Sequence, residues 1–486
     1  MSRSVKLRQE GNEVFTKALD ETMPRVVRRS RFDNAVVLYE NARNVAESGQ
    51  EIASATKNIM ACHYRRAQME TAFGEESDIV FGTHCLSSGL QESIVAIKQA
   101  QENKKKLAES WNVNVDELVS IQSWAEKILE TTDANIQEHM GPLTQLGDQK
   151  HFELLHGMCM VYGHSNKFSM PLMPAVRLNL DLGSLCLKIS VKLITKFNES
   201  QDHSTNKSEE EKKEEKRVRQ QVLNNARSYL ERVREALERA RSFTFESEQI
   251  LDEFEDQLED LSSSVNFQLS FCDSQSAMRE GDELFQRCVF DEENLSQDGI
   301  WLCIDRYREA IILTKEIDLE TEAEANYHLG YIYSRLLNVK ERGHQHFLKT
   351  VELVNVLWPK VFTNVPWYKD CLQRIKEHQD AKLDAERAAH EKEREPYLKE
   401  LEPELTVLKA EAQKSNESFL KFLYKTHPPK DSTQTLVIEG QAMKKVLTQS
   451  LRHYHPDKQV QYEMKWRVLA EEITKILTNY YERLKG

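Results

Sequence analysis

Glycine and proline are scarce, 16 and 11 in 486 residues, which removes the turn punctuation that a many-stranded sandwich or barrel needs. No apolar run approaches the uncharged length of a bilayer span, so no membrane span is expected. Met1-Ser2-Arg3-Ser4-Val5-Lys6 is not followed by the apolar core of a signal peptide. The eight cysteines (Cys62, Cys85, Cys159, Cys186, Cys272, Cys288, Cys303, Cys371) are dispersed without a C-x-x-C pair. Neither a zinc site nor a disulfide framework is indicated, and buried thiols in a reducing compartment, the cytoplasm, are expected. Missing too are a G-x-x-x-x-G-K-[ST] phosphate loop and a G-x-S-x-G elbow, so no constellation supports an enzyme, a metal or a cofactor. His344-x-His346 and His453-x-His455 have no Cys or carboxylate cluster beside them and read as surface or packing histidines. A formal charge of −13 provides no basic footprint for nucleic acid.

What is present favours helices. Leu, Glu, Lys, Ala and Gln recur in long unbroken stretches, and 40% apolar content suffices for packed cores, so the expected fold class is all-α. Charge is unevenly placed: residues 415–486 hold 12 Lys and Arg against 8 Asp and Glu. A basic module on an acidic body suggests an acidic protein partner for that module.

An internal repeat organises much of the chain. Leu7-Arg8-Gln9-Glu10-Gly11-Asn12-Glu13-Val14-Phe15 resembles Ala277-Met278-Arg279-Glu280-Gly281-Asp282-Glu283-Leu284-Phe285. Each is followed by a second stripe spaced 3, 4, 3: Phe32, Ala35, Tyr39, Ala42 in one and Ile300, Cys303, Tyr307, Ala310 in the other. Three further segments fit the order. Asn58 to Ala100 carries Leu90, Ser93, Ile97 and Ala100; Leu182-Gly183 leads to Leu223, Ala226, Leu230 and Val233; Leu329-Gly330 leads to Val339, Gly343, Phe347 and Thr350. These segments resemble tetratricopeptide repeats, here with long insertions between helices, and the resemblance implies a helical array that binds a client or partner protein. The run Ser208 to Lys216, inside a charged insertion over 198–217, reads as a solvated loop entering a helix. Val176 to Leu193 alternates around Gly183-Ser184 as a hairpin would, yet Leu182, Cys186, Ile189, Leu193 and Phe197 also make a helical stripe. Helix is the preferred reading, because an isolated hairpin would have no sheet to join.

The expected organisation is repeats over 1–110, a central helical region over 111–270, second repeats over 271–375, a charged helical spacer over 376–413, and a C-terminal module over 415–486. The spacer has few large apolar residues, and Pro396 and Pro403 should interrupt it, leaving the module free to move. Within the module, the first helix spans Ser418 to Thr426 and presents Phe419, Phe422 and Leu423 before His427-Pro428-Pro429 stops it. The second, Gln441 to Tyr454, sets Met443, Leu447, Leu451 and Tyr454 on one face, with Ser450 beside them; Lys445, Thr448, Gln449 and Arg452 lie opposite. A third presents Trp466, Leu469, Ile473, Ile476, Leu477 and Tyr480. The two would form an antiparallel hairpin with His455-Pro456-Asp457 at its tip.

Met443-Lys444-Lys445-Val446-Leu447-Thr448-Gln449-Ser450-Leu451-Arg452-His453-Tyr454-His455-Pro456-Asp457-Lys458 resembles, without a gap, the second helix and signature loop of the J-domain family. The resemblance covers about 70 residues. It implies a co-chaperone whose tripeptide contacts a 70-kDa heat-shock chaperone and promotes its ATP hydrolysis. His455 and Asp457 would make the polar contacts, Pro456 would fix their geometry, and Lys444, Lys445, Arg452 and Lys458 would supply complementary charge. The chain departs from the family at Thr448-Gln449, where two basic residues are usual, at Ser450, usually apolar, and at Trp466, usually Phe. Weaker docking, or a helical-repeat scaffold with a non-stimulating J-like module, is the alternative these departures imply. No fourth helix follows the third, which is similar to J-domains at an extreme C-terminus, such as auxilin-like ones. A second implied feature is the carboxylate clamp of some tetratricopeptide co-chaperones, which grips an acidic C-terminal tail. Arg8, Asn12 and Asn58 match part of it, without a third-helix Lys and Arg, while Met278 and Asp282 stand at the corresponding places of the second array and should not bind such a tail.

Overall fold

A computed structural model describes the chain apart from residues 110–114, 164–171, 200–207, 245–247, 291–296, 316, 432–441 and 485–486. All regular structure among the described residues is helical: α1 (Arg3–Ala18), α2 (Arg25–Asn44), α3 (Gly49–Thr71), α4 (Glu76–Ala108), α5 (Val115–Leu143), α6 (Asp148–Val161), α7 (Met173–Glu199), α8 (Glu209–Thr244), α9 (Glu248–Phe290), α10 (Gln297–Thr314), α11 (Leu319–Tyr331), α12 (Lys340–Val356), α13 (Pro366–Glu411), α14 (Asn416–Thr426), α15 (Met443–Tyr454) and α16 (Met464–Arg483). Val176 to Leu193 lies inside α7, so the hairpin alternative falls. Its alternating apolar residues are buried on several sides of one helix, including Val176, Leu178, Leu180 and Leu182. The charged insertion lies partly outside the described residues; from Glu209 onward it forms the opening turns of α8, with Glu210, Glu211, Lys213 and Glu214 exposed.

The helices divide into two compact units, Met1–Ile332 with Lys349–Val365, and Tyr333–Leu348 with Pro366–Gly486. In the first unit, successive helices pack in pairs, and small residues allow the approach. Gly11 of α1 lies under Tyr39 of α2, where an added Cβ would come within 2.6 Å of the ring. Gly281 of α9 lies likewise under Tyr307 of α10, at 2.9 Å. Gly89 of α4 meets Tyr64 of α3, whose hydroxyl donates to Thr132 at 3.0 Å. On α8, Leu223, Ala226, Leu230 and Val233 are all buried, with Val233 in ordinary contact across from Gly183. Of the last expected stripe, Val339, Gly343 and Phe347 fall in the second unit and Thr350 in the first; Gly343, Phe347 and Thr350 are buried, while Val339, which precedes α12 and donates its N–H to the Tyr333 carbonyl at 2.7 Å, is exposed. Arg25 and Arg29 of α2 converge on the buried Glu70 of α3, with Arg25 also reaching Asp78 of α4. A buried carboxylate needs such partners, since an unpaired one costs several kcal/mol.

In the second unit, α13 corrects one expectation. It runs unbroken through Pro396 and Pro403. Both prolines face solvent, and each removes one backbone donor, a loss offset by what the opposite face buries. Residues 379–393 are exposed as expected, but from Arg394 onward the helix turns one face inward: Leu401, Leu405 and Leu408 join Phe419, Leu420, Leu423, Val446, Leu447, Tyr454, Val468, Leu469, Ile473, Leu477 and Tyr480 in one core. Ion pairs flank that contact, from Arg394 to Glu471 and Glu472 at 3.0 Å each and from Lys465 to Glu400 at 2.5 Å. The apolar stripe at 401, 405 and 408 was hidden by the surrounding Glu and Lys, whose long side chains stay outside.

Candidate functional site

The His455-Pro456-Asp457 loop stands where α15 meets a single 3-10 turn, Pro456–Lys458. Local chemistry ends α15 there: His455 takes an extended conformation, φ −54° and ψ 130°, as the residue before a proline prefers. Its Nδ1 accepts the Asp457 N–H at 3.3 Å, which leaves Nε2 to carry the ring proton of the neutral imidazole. Both side chains project to solvent, 51% exposed for His455 and 88% for Asp457. The tip therefore presents a donor and a carboxylate on either side of a proline. Lys444, Lys445, Arg452 and Lys458 are exposed as well, and α13 packs against α14 and α16 rather than over them.

Beneath the tip the packing is polar and ordered. The last carbonyls of a helix have no partner within it. Here Gln459 Nε2 donates to the His453 carbonyl at 2.9 Å and Thr474 Oγ1 to that of Tyr454 at 2.9 Å. Trp466 Nε1 in turn donates to Gln459 Oε1 at 2.8 Å. The Tyr454 hydroxyl, fully buried, donates to the His427 carbonyl at 2.6 Å and ties α15 to the end of α14. The His453 ring meets the Tyr424 hydroxyl at 2.6 Å. Burial, with the Lys458 charge behind it, lowers the His453 pKa, and burial pushes the Tyr424 hydroxyl up to about 12. Both are neutral at pH 7, and the ring tautomer sets which of the two groups donates. The inner stripe of α15 is Val446, Leu447, Ser450 and Tyr454, with Met443 and Leu451 only partly buried at its edge. Ser450 satisfies its hydroxyl on the Val446 carbonyl at 3.0 Å. Sequence reasoning missed Gln459 and Thr474; a glutamine two residues past the tripeptide was the only signal for either.

The expected clamp residues lie in the first unit. Asn12 and Asn58 do meet, Asn58 Nδ2 donating to Asn12 Oδ1 at 3.1 Å, and Tyr39 OH donates to the same oxygen at 2.7 Å. Arg8 stands a turn earlier on α1, its Nε without a hydrogen-bond partner. Between α9 and α10, Asp282 makes the contact that Asn12 makes to Tyr39: Tyr307 OH donates to it at 2.8 Å, and His328 Nε2 lies at 3.6 Å. Burial pushes the Asp282 pKa up to about 6. Among the histidine pairs, His344 stacks on His378 and His346 on Tyr333. The seven described free cysteines are all buried. Among the described residues no group of three or more His, Cys, Asp or Glu could hold a metal, and no helix is long and apolar enough to cross a membrane. No protein-family model matches this chain, and no curated protein matches it.

Proposed function

We propose that this protein is a J-domain co-chaperone that stimulates ATP hydrolysis by a 70-kDa heat-shock chaperone, with its paired helices binding a client or partner protein in the cytoplasm. The observation that carries the reading is the exposed His455-Pro456-Asp457 turn between the contacting helices α15 and α16, flanked by Lys444, Lys445, Arg452 and Lys458. A protruding proline-fixed donor and acceptor beside a cationic helix face suits a partner surface that is polar and acidic, where charge speeds encounter and the tip fixes register. The test is single-turnover ATP hydrolysis by such a chaperone with the full-length protein. Stimulation by the wild type and its loss on His455→Gln, at unchanged thermal stability, is the expected result. The tip side chain lies outside the core, so its replacement should alter stability by no more than about 0.5 kcal/mol.

A second reading has one observation behind it. Thr448 and Gln449 stand on the half-buried flank of α15 where the family carries charge, which suits a module that docks without stimulating hydrolysis. Binding of the chaperone with no rate change would select it.

A further inference from the structure

We propose that Trp466 and Gln459 are positioning residues that hold the His455-Pro456-Asp457 tip in its docking geometry; this rests on the co-chaperone reading above. The relay is continuous: Trp466 Nε1 to Gln459 Oε1 at 2.8 Å, then Gln459 Nε2 to the His453 carbonyl at 2.9 Å. Gln459 is 4% exposed, so its amide has little competing water, and its two ends are both used. The carbonyl it reaches belongs to the last turn of α15, two residues before His455. Its own backbone N–H closes the 3-10 turn on the Pro456 carbonyl at 2.9 Å, next to the Lys458 N–H on that of His455. One residue thus fixes the loop at both margins, with its side chain anchored on α16. The indole nitrogen is what makes this possible. A phenylalanine would fill much of the same space and leave Gln459 Oε1 without a donor.

The consequence for binding is quantitative. If breaking the relay lets the tip leave its docking conformation, the apparent affinity falls by the fraction of molecules still competent, while the rate at saturation is unchanged. The loss of one net hydrogen bond corresponds to about a three- to tenfold change in such an equilibrium. Two measurements on the full-length protein carrying Trp466→Phe should therefore move together. Amide exchange at Lys458 and Gln459 should accelerate about three- to tenfold. The concentration giving half-maximal ATPase stimulation should rise by the factor by which the competent fraction falls, with the plateau rate kept. Gln459→Leu should do the same, and the double variant should be no worse than either single one, because both break one relay.

Unchanged exchange in Trp466→Phe, or a lowered plateau with an unchanged half-saturating concentration, overturns the proposal. Additive effects in the double variant overturn it too. If the wild type stimulates no chaperone of this class, the co-chaperone reading falls, while the exchange measurement still decides whether the relay holds the tip. A global loss of helicity in Gln459→Leu leaves the decision to Trp466→Phe, which keeps the aromatic packing.

Discussion

The inward face of α13 is a quantitative claim about folding. Leu408 is fully buried and Leu405 nearly so, while Val407 between them is 51% exposed on the same helix. Removing a buried leucine's outer carbons costs the transfer of those atoms from water plus the cavity left behind, about 2–5 kcal/mol. An isolated core of about 70 residues supplies roughly 3–5 kcal/mol of net stability. Leu408→Ala should therefore consume most of the stability of a fragment spanning residues 391–486. Val407→Ala should change it by less than about 0.5 kcal/mol, since alanine is also the better helix former. Urea unfolding reports this cleanly, because Trp466 is the sole tryptophan after residue 390. A fragment starting at residue 415 lacks all three leucines and should show a shallow transition of lower midpoint. Equal midpoints and slopes for fragments starting at 391 and 415, or equal costs for Leu408→Ala and Val407→Ala, would refute the reasoning.

Other outcomes follow from particular contacts in the first unit. Burial pushes His139 down to about 4, with Thr83 Oγ1 at 2.8 Å from its Nε2. The unfolded chain takes up that proton near its ordinary 6.5 while the folded one resists it. Stability is then complete above 6.5 and declines as pH falls toward 4, by at most about 3 kcal/mol; His139→Gln should flatten that slope in urea titrations across the window. Gly11→Ala should cost about 1–3 kcal/mol, because the new Cβ meets the buried Tyr39 ring at 2.6 Å. Gly157→Ala on α6 meets nothing within 4 Å and should stabilise by up to about 1 kcal/mol. Thermal midpoints of the two variants should move in opposite directions.

Fold class was legible because it rests on composition and on a 3.6-residue period, both strong over helices this long. The paired helices were legible through a repeated order, Gly11 and Phe15 then Phe32, Ala35, Tyr39 and Ala42, matched by Gly281 and Phe285 then Ile300, Cys303, Tyr307 and Ala310; that each glycine makes room for the tyrosine ring of the next helix was not. The α13 contact was not, because three leucines in a stretch dominated by Glu and Lys give a narrow stripe that periodicity alone does not assign to a partner. Proline gave the opposite error: Pro396 and Pro403 signal a break locally, yet both fall on the solvent side of a helix whose other face is held by tertiary packing. The inner stripe of α15 was set slightly off phase, since Met443 and Leu451 are more apolar than Ser450 and His453, and yet the polar pair is the buried one.

Under the proposed co-chaperone reading, that exchange connects the departures from the J-domain pattern. Read singly, Ser450 loses apolar volume, Trp466 enlarges a ring, and Thr448-Gln449 drops two charges. In the folded module the first two serve one polar layer: Ser450 and His453 face the Tyr424 hydroxyl, and Trp466 supplies the donor that fixes Gln459. Exposed ion pairs contribute about 0–1 kcal/mol each and are screened by salt, whereas a buried hydrogen bond contributes about 0.5–1.5 kcal/mol and is not. Two relay bonds beneath the tip are therefore of the same magnitude as two lost surface charges. The proposed docking would then rely less on attraction and more on a tip already in place, and its affinity should fall less steeply between 50 and 500 mM salt, a range set by about a threefold change in Debye length, than that of a J-domain with basic residues at the corresponding positions. A salt dependence as steep as that of such a domain would contradict this division between charge and preorganisation.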